Sequence, residues 1–279
     1  MSLWYLIWDV LPFEMFHWNF MKNALLAILL MAPLFGLCST MIVTGKMSFF
    51  SDDLGHSAFT GIAIGSLCGI AAPTWAAVIF AVFFALLFSY VRSKSNQAAD
   101  TLIGVFSSTA VALGIFVATL GGGSFTKYNK YLIGDILSVT PSELLMLALT
   151  LLAVIIFWCI AGNKLTLTAV YPQLAASRGI RTDMIQTAFT TVIAVVVTLA
   201  ISWVGLLILN SLLVLPAAAA RNISKNLRQY HLFSIIFALI AGLLGLVISY
   251  YFGTSAGAAI SLVLALIFAV SFAMRKERG

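Results

Sequence analysis

Apolar runs of about 20 residues, separated by short polar or glycine- and proline-bearing breaks, fill almost the whole chain. Runs of roughly 18 or more apolar residues are long enough to cross a bilayer as helices. The pattern predicts nine spans, at about 20–44, 51–71, 74–91, 101–121, 142–162, 182–203, 205–220, 230–252 and 254–274. The second, third and seventh are short or rich in Gly and Pro, so broken or re-entrant segments, and a count of eight, stay open. Pro33 and Pro216 each fall inside an apolar run, where proline removes a backbone donor and is expected to kink or break the helix.

The 279 residues are 62% hydrophobic and 9% charged, against roughly 25% charged in a soluble domain. This is an all-α, polytopic membrane protein, and residues 1–279 form one transmembrane domain. No basic start or small-residue cleavage site marks a signal peptide. Residues 1–19 instead mix Trp4, Trp8, Phe13 and Trp18 with Asp9, Glu14 and His17, a composition suited to the lipid–water boundary. Cys38, Cys68 and Cys159 are far apart within apolar runs; they read as small packing residues without a disulfide framework.

Charge sets the orientation. With the C-terminal "RKERG" inside, twelve of the fifteen Lys and Arg lie in inside segments, and only Lys22, Lys127 and Lys130 lie outside. Cytoplasmic loops retain basic residues, so the C-terminus is placed in the cytoplasm, and the N-terminus outside if nine spans is right. The net charge of +6 is thereby explained by short loops, with no contiguous basic stripe for nucleic acid. Two connections exceed a turn, 121–143 outside and 161–183 inside. Within the second, "PQLAASRG" reads as a short helix, opened by Pro172 and closed by Gly179.

The second span carries the chemistry. In a helix over 51–71, Asp52, His56 and Thr60 follow at i, i+4 on one ridge. Asp53, Ser57, Gly61, Gly65 and Gly69 form the next ridge, a small-residue stripe that lets another helix approach closely. Asp and His one turn apart can reach one divalent cation; imidazole suits zinc and carboxylate suits harder ions such as manganese. The plain alternative is that Asp52 or Asp53 caps the helix and His56 packs against a neighbour. Asp100 in "QAADTLIGV" reads as a helix cap, and Asp135 in "YLIGDIL" lies on the outer side. No phosphate-binding GxxxxGK[ST] loop, HExxH or Ser/His/Asp grouping is present, so neither ATP hydrolysis nor any other enzyme activity is expected of this chain.

"MSFFSDDLGHSAFTGIA" (47–63), "DTLIGV" (100–105), "LIGDILSV" (132–139), "LAASRGI" (174–180) and "GLLILNSLLVLPAAAAR" (205–221) together resemble the membrane permeases of zinc- and manganese-type ATP-binding-cassette importers. The resemblance implies a fold like that of the vitamin B12 and siderophore permeases, in a homodimer in a prokaryotic cell membrane. It implies two cytoplasmic ATP-binding-cassette ATPase subunits, an extracytoplasmic metal-binding protein, and a transported zinc or manganese ion, with iron a further candidate, in place of any covalently bound cofactor. It puts the metal on Asp52 and His56, with Asp53 a secondary candidate. Loop 163–181 becomes the coupling loop, with Leu174, Ala175, Ala176, Ser177, Arg178 and Gly179 as its ATPase contact. The chain departs from the family pattern at Asp53, where Ala is usual, at Thr60, where Pro is usual, and at Tyr171 and Gln173, where acidic residues are common. The competing reading is an ion- or proton-coupled secondary transporter with Asp52 and His56 as a relay; it has no use for a coupling loop.

Overall fold

The computed structural model describes residues 18–70, 73–95, 97–120 and 134–275. Most of the aromatic N-terminal segment and of the outer loop therefore lies outside the described residues. Those described form ten α-helices and no strand: α1 (Asn19–Thr44), α2 (Phe50–Leu67), α3 (Pro73–Lys94), α4 (Ala99–Thr119), α5 (Pro141–Val170), α6 (Pro172–Ser177), α7 (Thr182–Val204), α8 (Leu206–Ile223), α9 (Leu227–Phe252) and α10 (Ala256–Ala273). Each expected span corresponds to one of them. Seven are long and apolar enough to cross a membrane. The helices α2 and α8 are not among those seven. The eighteen residues of α2 span about 27 Å at helical rise, near the roughly 30 Å of the hydrocarbon core, but Asp52, Asp53 and His56 lower its hydropathy.

The helices end where local chemistry dictates. At the start of α5, "TPSE" forms a reciprocal cap: Glu143 Oε2 accepts the Thr140 amide at 2.8 Å, and Thr140 Oγ1 accepts the Glu143 amide at 3.4 Å. Asn226 caps α9 by accepting the Gln229 amide at 2.9 Å, and α9 stops at Gly253 in the left-handed conformation.

The chain divides into two compact units. The first takes residues 1–40, 135–153 and 211–279. In it α9 packs on α10, and Ser234 Oγ donates to the Gly36 carbonyl at 2.9 Å. Neither Pro33 nor Pro216 breaks its helix. At Pro216 the reason is visible: the Ser39 hydroxyl accepts the Ala217 amide at 3.1 Å, so a neighbouring side chain satisfies a donor that the proline distorts.

The second unit takes residues 41–134 and 154–210. Here α2 is walled in by α3, α4 and α7, and α3 packs on α7. The helices α2 and α3 run without a break. The outward faces of α3, α4 and the second half of α5 carry Ile79, Phe83, Phe116 and Ile160 exposed, the surface expected of helices solvated by lipid or by other apolar helices. Cys38 is buried, as a packing residue should be, but Cys68 and Cys159 are exposed among the described residues.

Candidate functional site

Of the eighteen residues of α2, thirteen are buried. Asp52 and His56 are the ionisable groups left partly open, with side chains 40% and 27% exposed. One helical turn apart, they bring His56 Nε2 to 3.7 Å from Asp52 Oδ2. That is too long for a hydrogen bond. It is close to the separation of about 3.4 Å that two donors keep on a tetrahedral ion bound at about 2.1 Å. Neither Asp caps the helix: the N-cap position is Phe49, with no side-chain cap bond.

Asp53 faces the other way. It is 1% exposed, and Ser107 of α4 hydrogen-bonds to its carboxylate. Its Oδ2 has no hydrogen-bond partner. Thr60, expected on the same ridge as Asp52 and His56, is fully buried. Its hydroxyl lies 2.8 Å from the Ala110 carbonyl of α4 and 3.1 Å from the His56 carbonyl. The ridge therefore turns into the α4 contact after His56, because each i, i+4 step drifts by about 40° around the helix. Among the described residues no group of three or more His, Cys, Asp or Glu gathers in one place.

The small-residue ridge splits. Ser57 is buried and bonds the Leu54 carbonyl at 2.8 Å. Gly61 and Gly65 meet α3 so closely that a Cβ would lie 2.6 Å from Ala77 Cα and 2.7 Å from Ala76 Cβ. Gly69 has no neighbour there; it lies beyond the helix at φ +68°, a turn residue and not a packing one.

After α5, the connection read as an inside loop is shorter than its sequence suggests, because α5 continues to Val170. Tyr171 then breaks the helix and Pro172 opens α6 at its first position. Gly179 at φ +74° closes it: its amide bonds the Ala176 carbonyl at 2.9 Å, and the Ile180 amide bonds the Ala175 carbonyl at 3.1 Å. This is the Schellman pattern. Ala175 is buried and anchors the helix, while Leu174, Ala176, Ser177, Arg178 and Gly179 face outward. The Asp135 carboxylate accepts the Leu137 amide at 3.0 Å and caps a short 3₁₀ turn. Asp100 lies in the first turn of α4, which is preceded by Ala98 at the cap position.

Comparison with known proteins follows the same lines. The model of the ABC 3 transport family matches residues 17–275. The chain is 29% identical over 254 residues to the "High-affinity zinc uptake system membrane protein ZnuB" of Haemophilus influenzae, covering 90% of this chain and 94% of that one. It is 29% identical to the "Manganese import system permease protein ScaB" of Streptococcus parasanguinis, covering 93% and 91%. The solved structure of "PsaBC from Streptococcus pneumoniae in complex with Fab" matches with a TM-score of 0.81 at 26% identity, covering 98% of this chain and 95% of that one.

Proposed function

The chain belongs to the ABC 3 transport family, and on that premise we propose that it is the membrane permease of an ATP-driven importer of zinc or manganese, with iron a further candidate cargo. The observation that carries the reading is the open strip of α2. Over its first four turns, a helix otherwise buried among its neighbours leaves Asp52 and His56 partly open and 3.7 Å apart. Ionisable groups in a membrane segment are costly and are kept where they do work.

One chain offers two ligands, and a transition-metal ion takes four or more. A second copy of the permease, facing the first across a shared path, would supply another Asp52 and His56, and water the remainder. Carboxylate charge would compensate part of the hydration that the ion loses. Asp53, turned to Ser107, serves the helix contact and does not bind the metal.

The short helix α6 supports coupling to a separate ATPase. It is held at one end by Pro172 and at the other by Gly179, with Ala175 as its buried foot. Such a rigid, outward-facing knob suits a cleft in a partner that moves with ATP. Lys164, Arg178 and Arg181 line one cavity beside it, so an acidic cleft is the complementary surface. In this reading ATP hydrolysis resides on two cytoplasmic subunits, an extracytoplasmic binding protein delivers the ion, and α6 and the C-terminus face the cytoplasm of a prokaryotic cell.

The test is uptake by the permease co-expressed with its ATPase and reconstituted in liposomes. Zinc or manganese uptake should require ATP and should raise the rate of ATP hydrolysis. Uptake driven by a proton gradient without ATP would favour the secondary transporter instead.

A further inference from the structure

A second polar cavity in the same unit carries charge of one sign. Its volume is about 260 Å³, and it is lined by Lys46 between α1 and α2, Arg92 at the end of α3, Thr168 near the end of α5, Pro172 of α6 and Gln186 of α7. No Asp or Glu lines it. Thr168 is 1% exposed, and its Oγ1 has no hydrogen-bond partner. That is unusual for this chain. Thr109, Thr119, Thr150 and Thr198 each return their helical hydroxyl to the carbonyl four residues back, at 2.7–2.8 Å. A buried hydroxyl left idle costs about 1–3 kcal/mol, and the residue that carries it lines this cavity.

Lys46 adds to this. It sits at φ +53°, in a left-handed helix-ending position where glycine is ordinarily found. A lysine there exchanges backbone comfort for a charge in the lining of the cavity. Arg92, Lys46, Thr168 and Gln186, all in the lining, carry a guanidinium, an ammonium, a hydroxyl and an amide, donors of the kind that an anion takes. Two cations and two neutral donors match a phosphate group.

We propose that this cavity binds a phosphate-bearing anion, and that its occupant is the headgroup of an anionic phospholipid. The cavity lies at the ends of the membrane-crossing helices α1, α3 and α5, where headgroups gather, and on the side that the basic residues assign to the cytoplasm. Basic pockets between transmembrane helices on that side are suited to such lipids. Because Pro172 lines the cavity and opens α6, a bound headgroup braces the junction between α5 and the coupling helix. This rests on the orientation proposed above, but the binding itself does not.

The experiment uses the full-length purified chain in neutral detergent, without metal or ATPase, so its result is independent of the transport reading. Thermal unfolding is followed with short-chain phosphatidylglycerol, with short-chain phosphatidylcholine and with inorganic phosphate. Phosphatidylglycerol should raise the Tm by roughly 3–6 °C, and the other two should leave it within about 1 °C. The double variant Lys46→Gln/Arg92→Gln should lose the shift. Thr168→Val, which keeps every charge, should weaken the apparent affinity for phosphatidylglycerol about 3- to 10-fold and stands as the test if the double variant does not fold. An equal response to phosphatidylcholine, a shift retained in the double variant, or an unchanged affinity in Thr168→Val overturns the site. A response to inorganic phosphate as large as that to phosphatidylglycerol, and lost in the double variant, overturns the lipid as occupant.

Discussion

The Thr60 hydroxyl donates to the carbonyl of Ala110 at 2.8 Å, tying α2 to α4 one turn beyond His56. A proline at this position would supply no donor. The threonine holds the site helix to its neighbour by a side-chain bond, and the helix stays straight enough to keep Asp52 and His56 on one strip. Interhelical bonds of this kind are worth about 0.6 kcal/mol on average in membranes. Thr60→Val should therefore lower the Tm by about 1–2 °C and reduce metal uptake without abolishing it, which a paired melting and transport assay would check. An unchanged Tm would mean that the bond contributes nothing.

Gly61 and Gly65 should be intolerant of bulk, and Gly69 should respond for a different reason. Gly65→Leu forces a side chain into Ala76 and should cost about 1–3 kcal/mol through overpacking. Gly69→Ala has open space around it but a φ of +68°, so its cost is backbone strain of about 1 kcal/mol. Denaturation of the three variants separates them: Gly61→Leu and Gly65→Leu should lose far more stability than Gly69→Ala.

The short helix α6, proposed above to couple to the ATPase, offers a sharper division. Ala176 is exposed while Ala175 is fully buried. Ala176→Glu should leave the permease folded and abolish ATP-driven transport by placing charge and bulk where the partner seats. Ala175→Glu should damage the loop itself. Co-purification of the ATPase with Ala176→Glu at wild-type yield, together with normal transport, would remove α6 from the coupling surface.

Asp53→Asn removes a buried carboxylate while keeping its shape. The variant should melt at the same temperature as the parent or higher, because an unpaired Oδ2 charge inside a helix bundle is a cost. Its uptake should stay within a few-fold of normal, since Asp53 faces Ser107 and not the open strip. A loss of uptake as large as for the Asp52 variant would bring Asp53 into the metal path.

Much of this was legible in the residues. The spans follow from hydrophobic run length, and the i, i+4 spacing put Asp52 and His56 on one face. The glycine stripe marked the contact at Gly61 and Gly65. The failures have physical causes. Pro216 was expected to disrupt α8 because the Ser39 hydroxyl that accepts the Ala217 amide is 178 residues away in sequence. Thr60 was grouped with the metal ridge because helical drift brings it under α4, which no local pattern reveals. The extension of α5 to Val170 runs through polar residues, Asn163, Lys164 and Thr166, that a membrane-span reading assigns to a loop. The idle hydroxyl of Thr168 has no signature in sequence at all; it emerges when a threonine expected to bond its own helix does not.

The central claim is that Asp52 and His56 handle the ion. Its most direct test is metal uptake by Asp52→Asn and His56→Ala in liposomes containing the assembled transporter, at matched protein level and with ATPase binding verified. Each substitution removes one of the two ligands and leaves α2 buried against the same helices, so uptake should fall by about tenfold or more while basal ATP hydrolysis persists. Uptake at the parental rate in both variants would contradict the account and return the pair to a structural role.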